Sequence, residues 1–368
     1  VQHLVIRDFR NIVRAECELP AAGLVLAGQN GHGKTNLLEA LHYGHALRSL
    51  RGVRDQELVR FGCEAFHLTF RATGTGVEEL GVGVARTGRR KRLTMDGNEV
   101  TRLGDAFAAI PSVAVSPRDV VLVAGTPQDR RRYLDLLLAA TSKRYLTALQ
   151  RYRAALVRRN AVLREHATAP DAALQVAVWE PALAEAGAVL WSERARWVTW
   201  AARIAAERCL EMGEPQKLAM RLQSSIRDLS ETEQELRDGL AGALARERQS
   251  DIRRGMTQHG PHRDDLLLML GGKMARSFGS AGQQRTVALA LRLVEAMTLR
   301  EHLGHEPILL LDDPFAELDR ERSRRIMQLL TTHMRGQRIL AIPRDDEVPA
   351  SFDELVRWRV ESGVVHVA

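Results

Sequence analysis

Apolar and polar positions change rhythm twice along the chain. Up to about residue 126 the pattern is that of short strands. Leu4, Ile6 and Phe9 open one strand, Val13, Cys17 and Leu19 lie near a second, and residues 68–70 and 82–84 mark two more. Asp96-Gly97, between Leu93-Thr94-Met95 and Glu99-Val100, is a hairpin signal. Val113-Ala114-Val115 closes the section ahead of Ser116-Pro117. From about Arg130 the period becomes helical. Tyr145, Leu149, Tyr152, Leu156 and Leu163 form one stripe, broken at Thr168-Ala169-Pro170-Asp171. A second helical stretch, about 174–212, turns Trp179, Leu183, Leu190, Trp197 and Ile204 inward and stops at Gly213-Glu214-Pro215. The two read as an antiparallel hairpin, followed by a third helical stretch at about 232–253. Strand grammar returns after Gly255, with 266–270 and 274–278 flanking Gly271-Gly272. A helix from Gln283, a strand at 308–311, a helix near 320–334 and a strand at Arg338–Ile342 complete the pattern. The pattern predicts an α/β unit, 1–126 and 255–368, split by a helical insert at 127–254.

One segment carries explicit chemistry. Gly28-Gln29-Asn30-Gly31-His32-Gly33-Lys34-Thr35 has the form G-x-x-x-x-G-K-[ST]. It lies between a buried-strand pattern, Leu24-Val25-Leu26-Ala27, and a helix pattern starting at Asn36, the context that a phosphate-binding loop requires. Gly28, Gly31 and Gly33 let the backbone curl so that Asn30 and its neighbours turn N–H groups toward phosphate oxygens. Lys34 is expected at the β- and γ-phosphates and the Thr35 hydroxyl on Mg²⁺.

The second half of such a site is Ile308-Leu309-Leu310-Leu311-Asp312-Asp313, an apolar run followed by two carboxylates. A strand buried on both faces needs the apolar run, and ligands of open α/β sheets bind beyond the strands' carboxyl ends. Asp312 fits the Mg²⁺-holding Walker B carboxylate and Asp313 the residue that orients or activates attacking water; with Lys34 they form the expected catalytic set. Gly279-Ser280-Ala281-Gly282-Gln283 precedes a helix at 287–297 and reads in two ways. It is either an ordinary helix N-cap or a second anion site, in which Ser280, Gly282 and Gln283 cap the nucleotide of a second copy.

The bulk numbers add bounds. The 368 residues are enough for two units, and the net charge of +7 favours polyanions. Cys17, Cys63 and Cys209 are far apart and read as buried thiols in a reducing compartment rather than as metal ligands. His259 and His262 lack a third ligand at metal spacing. No signal-peptide pattern and no bilayer-length apolar run are present, so a cytoplasmic location is expected.

With these residues in view the chain resembles the RecF family, the bacterial recombination-mediator ATPases of the SMC/ABC type. The segments that carry the likeness are Arg7-Asp8-Phe9-Arg10-Asn11, Lys34-Thr35-Asn36-Leu37-Leu38-Glu39-Ala40, Ser116-Pro117-Arg118-Asp119, Gly260-Pro261-His262-Arg263-Asp264-Asp265 and Gly282-Gln283-Gln284-Arg285-Thr286. Ala316-Glu317-Leu318-Asp319 is similar to the D-loop of ABC-type ATPases. The resemblance implies an ABC-type P-loop ATPase head of mixed sheets and helices, with an inserted all-helical lobe. It implies slow, DNA-stimulated hydrolysis of ATP with Mg²⁺, ATP-dependent homodimerisation on duplex or gapped DNA, and work with RecO and RecR in repair and fork maintenance. It places Arg10, Asn11 and Asn36 near the nucleotide, and makes the basic clusters Arg89, Arg90, Arg92 and Arg130, Arg131 the expected DNA contacts. With few aromatics interleaved, backbone contact fits these clusters better than base stacking. One departure stands out: Ile342-Pro343-Arg344-Asp345 offers no threonine or histidine where the family's switch would sense the γ-phosphate. Two rivals remain open, a P-loop metabolic kinase and an SMC-like structural binder that holds ATP with negligible turnover.

Overall fold

A computed structural model describes residues 1–88, 91–165, 169–225, 232–314, 320–344 and 348–367. The chain divides into two compact units, Val1–Asp119 with Glu211–Gly213 and Ala288–Ala368, and Val120–Leu210 with Glu214–Val287. Arg89, Arg90 and the Ala316–Asp319 segment lie outside the described residues.

The first unit holds two six-stranded sheets. In one, Ser112–Val115, Ile308–Asp312, Arg338–Ile342, Gly23–Ala27 and Val356–Glu361 lie side by side and parallel. Val364–Val367 adds an antiparallel edge. The Gly23–Ala27 strand is buried at every position, which is why it reads as an unbroken apolar run. Parallel pairing brings Ala27, Asp312 and Ile342 to the same end of the sheet, so the phosphate loop and the two carboxylates leave from one edge. The other sheet is antiparallel and runs, in order, Ile12–Glu18, His3–Phe9, Ala65–Arg71, Glu79–Ala85, Lys91–Met95 and Asn98–Glu99. One core joins both sheets to the helix Lys34–Ala46 through Ile6, Phe9, Leu26, Leu37, Leu41, Phe66, Leu310 and Trp358. Phe9, Tyr43 and Phe66 meet edge-to-face, with centroids 5.1–6.5 Å apart.

The second unit contains the helices Pro127–Thr141, Lys143–Glu165, Glu180–Glu211 and Glu233–Arg254. Thr126 and Thr232 cap two of them with reciprocal capping boxes. Buried ion pairs tie them together. Arg194 reaches Asp135 and Asp264 at 2.7 Å each, and Arg159 reaches Asp251 at 2.7 Å and Glu180 at 3.1 Å. The unit also has a small sheet in which Asp265–Leu270 pairs with Leu218–Gln223, a strand that the sequence pattern did not reveal. That ladder makes 255–287 pack with the helices, whereas the sequence pattern assigned it to the second part of the head. Residues 274–278 differ from the expected strand as well. Only Lys273–Met274 is extended, and Ala275–Phe278 is a helical turn. Among the described residues no helix is long and apolar enough to cross a membrane.

Candidate functional site

The phosphate loop is shaped by glycines where other residues would strain. Gly33 sits at φ 116, and a Cβ there would lie 2.9 Å from Asn11 Oδ1. Gly28, at φ 151, would press a Cβ to 2.6 Å from the Val360 carbonyl. The helix Lys34–Ala46 starts with no side-chain cap and no acidic residue in its first turn. Its leading N–H groups and the positive end of its dipole therefore face the loop with no acidic side chain of the helix's own first turn to compete. Lys34 is buried and folds back on the loop, donating to the carbonyls of Gly28 and, at 3.0 Å, Gln29. Gly31 is exposed at φ 85, and Asn30 is exposed beside it.

The carboxylates arrive as the strand pattern requires. Thr35 Oγ1 donates to Asp312 Oδ1 at 2.9 Å, joining the loop to the end of Ile308–Asp312. Asp313 turns into the left-handed region, φ 47, with its N–H held by Ala341 O at 2.9 Å. Burial pushes the Lys34 ammonium below its usual value, against the pull of Asp312 and Asp313. Burial likewise raises the Asp312 carboxyl, against the Thr35 hydrogen bond and the nearby Arg51 and Lys34 charges. The site thus holds a desolvated cation and a desolvated carboxylate within one loop and one hydroxyl of each other. An anion at the loop and a divalent cation between Thr35 and Asp312 complement both, and this donor set of hydroxyl and carboxylate oxygens suits a hard cation such as Mg²⁺.

A polar web holds the loop from behind. Asn11 Nδ2 donates to His32 O at 3.2 Å, Asn36 Nδ2 donates to Asn11 Oδ1 at 2.8 Å, and Arg51 donates to Asn36 Oδ1 at 2.9 Å. Arg10 closes the web on fully buried Glu39, with its Nε 2.9 Å from Oε2, and Ser49 donates to the same carboxylate at 2.6 Å. Arg10, Asn11 and Asn36 therefore stand beside the loop. Sequence spacing missed Glu39 as the partner of Arg10. It also missed Gly363, whose N–H donates to His32 O at 2.8 Å from the turn between the last two strands.

Ser280 and Gln283 belong to the second unit. Gln283 N–H donates to Ser280 Oγ at 3.2 Å, and Ser280 N–H donates to Gln283 Oε1 at 3.0 Å. This is a reciprocal cap on the helix Ala281–Leu303, with Gly282 in its first turn. Ser280 is exposed.

The basic residues separate sharply. Arg92 is exposed on its strand. Arg130 is a correction: it is 2% exposed, grips Asp265 with Nε at 2.7 Å and a second nitrogen at 3.0 Å, and donates to the Val123 and Gly125 carbonyls. Its guanidinium is spent inside the unit and cannot reach a DNA phosphate. Arg131 is half-buried and donates to Asp264 O. His262 is structural, with one ring nitrogen 2.6 Å from Tyr152 Oη and the other 3.1 Å from Thr257 O, and burial pushes it down to about 4.

A family model described as the RecF/RecN/SMC N-terminal domain matches residues 1–366. The DNA replication and repair protein RecF of Anaeromyxobacter dehalogenans strain 2CP-1 is 38% identical over 371 residues, covering 98% of this chain and 97% of its own. The protein of the same name from Roseiflexus castenholzii is 34% identical over 398 residues, covering 100% of both. Among solved structures, the recombination mediator protein RecF-ATP in the RecFOR pathway superposes with TM-score 0.91 at 27% identity, covering 100% of this chain and 97% of that chain. An Smc head bound to the C-terminal winged-helix domain of ScpA aligns with TM-score 0.54 at 16% identity, covering 100% of this chain and 97% of that chain, a likeness of fold alone.

Proposed function

The chain belongs to the RecF family of SMC/ABC-type ATPases, and on that premise we propose that it is an ATP-dependent DNA clamp of replication and repair. The observation that carries the reading is the loop–carboxylate junction, where Thr35 meets Asp312 at 2.9 Å beside Lys34. In this reading the backbone of Gly28–Thr35 and the Lys34 ammonium bind the phosphates of ATP. Thr35 and Asp312 would hold Mg²⁺, which when bound neutralises charge developing on the phosphoryl oxygens. Asp313, turned out of the strand end by its left-handed backbone, orients the attacking water. Asn11 fixes the loop at the His32 carbonyl, Asn36 holds Asn11, and Arg10 pairs with Glu39 on the helix that follows the loop.

Ser280 then acts across a dimer. Its cap leaves the hydroxyl hydrogen free to donate, and its exposure lets the γ-phosphate on a second copy meet it. ATP binding to the closed dimer more tightly than to the monomer is what drives closure. DNA stimulation, slow turnover, the action with RecO and RecR at single-strand gaps, and a cytoplasmic location belong to the same proposal. Sedimentation velocity with ADP and then ATP, with and without duplex DNA, tests it. ATP-specific dimers that Ser280→Arg abolishes are expected, while that variant still binds ATP. A monomer under every condition would instead favour a P-loop kinase. A second reading, a structural ATP holder with negligible turnover, draws on the strand Arg338–Ile342, which ends in Pro343 without a sensing side chain. A turnover rate indistinguishable from the buffer background would select it.

A further inference from the structure

The antiparallel sheet of the first unit has two faces of opposite character, and the strand register makes the contrast explicit. One lateral row runs Ala15, Ile6, Leu68, Val82 and Leu93, all buried. The next row, one residue along each strand, runs Arg14, Arg7, His67, Gly83 and Arg92. Side chains alternate between faces, so this second row points away from the core as a set. Arg14, Arg7, His67 and Arg92 are exposed.

One feature of the row does nothing for the fold. Arg7 lies directly opposite Arg14, and like charges so placed weaken a strand pair. Arg14 has Glu16 at 3.4 Å, while Arg7 and Arg92 have no ion-pair partner among the described residues. The strand Glu79–Ala85 also carries glycine at 81 and 83, both on this face. Interior strand glycines weaken a sheet and recur where a ligand or another backbone approaches closely. A Cβ at Gly83 would stand 3.3 Å from the His67 ring and one at Gly81 2.3 Å from Thr94 Oγ1, so the two glycines let side chains of the flanking strands lie across this face.

We propose that this row is a phosphate-backbone contact for duplex DNA. The proposal rests on the DNA-binding reading above and names a surface for it. From the strand of Arg14 to that of Arg92 there are four strand spacings, about 19 Å. Over that length one strand of a duplex presents about five or six phosphates. Arginines at the two ends and beside the middle can pair with phosphates of one strand. Nothing in the row reads bases, so the contact is indifferent to sequence.

The test measures affinity for two unrelated duplexes of equal length across a salt series, in the presence of ATP. Wild type is compared with Arg7→Ala/Arg92→Ala and with Arg7→Lys/Arg92→Lys. The alanine pair should bind both duplexes several-fold more weakly, with the log–log salt slope smaller by about 1.8, two contacts at roughly 0.9 each. The lysine pair keeps the point charges and should keep the slope. Melting temperatures should not fall in either variant, and Arg7→Gln/Arg92→Gln, which also removes both charges, takes the place of the alanine pair if that pair unfolds. A salt slope unchanged in the alanine pair, or lost equally in the lysine pair, overturns the stripe while leaving the clamp standing. Wild type that binds neither duplex overturns both.

Discussion

At the scale of single residues the site rests on a few desolvated groups that a nucleotide would complement. Lys34 is expected to supply one charge-assisted interaction with phosphate, about 1.5–3 kcal/mol. Lys34→Met should therefore weaken ATP binding roughly 10- to 100-fold by calorimetry, and an unchanged Kd would remove the loop from the account. Asp313→Asn should leave ATP affinity intact and slow single-turnover hydrolysis by about 10²–10⁴-fold, the usual worth of a positioned acid–base group. Asp312→Asn should instead raise the Mg²⁺ concentration needed for turnover. Wild-type rates in both variants would dismiss the carboxylate pair. These residues were legible in the sequence because their chemistry is contiguous, with eight residues of loop and two carboxylates closing an apolar run. Arg130 was not legible. Its partner Asp265 is 135 residues away, and nothing in Arg130-Arg131-Arg132 separates a buried guanidinium from an exposed one.

Among the secondary-structure elements the same contrast holds. The strands Gly23–Ala27 and Ile308–Asp312 and the helix Glu233–Arg254 follow from run length, period and caps close to their observed bounds. The strands Val356–Glu361 and Val364–Val367 escaped notice, yet they back the phosphate loop. Their contact with it spans over three hundred residues and leaves no mark in local spacing. Gly363 is the critical point of that support. It sits at φ 84, and a Cβ would lie 2.3 Å from the Asn11 carbonyl. Gly363→Ala should displace the turn, loosen the bond from Gly363 N–H to His32 O, and weaken ATP binding with Lys34 intact. ATP affinity equal to wild type would show that the hairpin is a bystander. The helical unit illustrates a different limit. Its stripes predict the helices, but not the buried Arg194 and Arg159 networks that fix how they meet, because those pairs join residues 21–92 positions apart.

For the whole molecule, ATP is proposed to be a conformational ligand. It can shift the molecule toward a DNA-holding dimer only by the difference between its affinities for the two states, so DNA affinity must depend on which nucleotide is bound. Family membership and the site geometry support ATP binding, and the +7 net charge suits a polyanionic partner. The most direct measurement is fluorescence anisotropy of one labelled duplex with the full chain in ATP and in ADP at fixed salt, repeated with Lys34→Met. Tight binding with ATP, binding at least 10-fold weaker with ADP, and a much smaller ATP effect in the variant at an ATP concentration near the wild-type Kd are expected. Equal affinities in ATP and ADP for the wild-type chain would contradict the proposal.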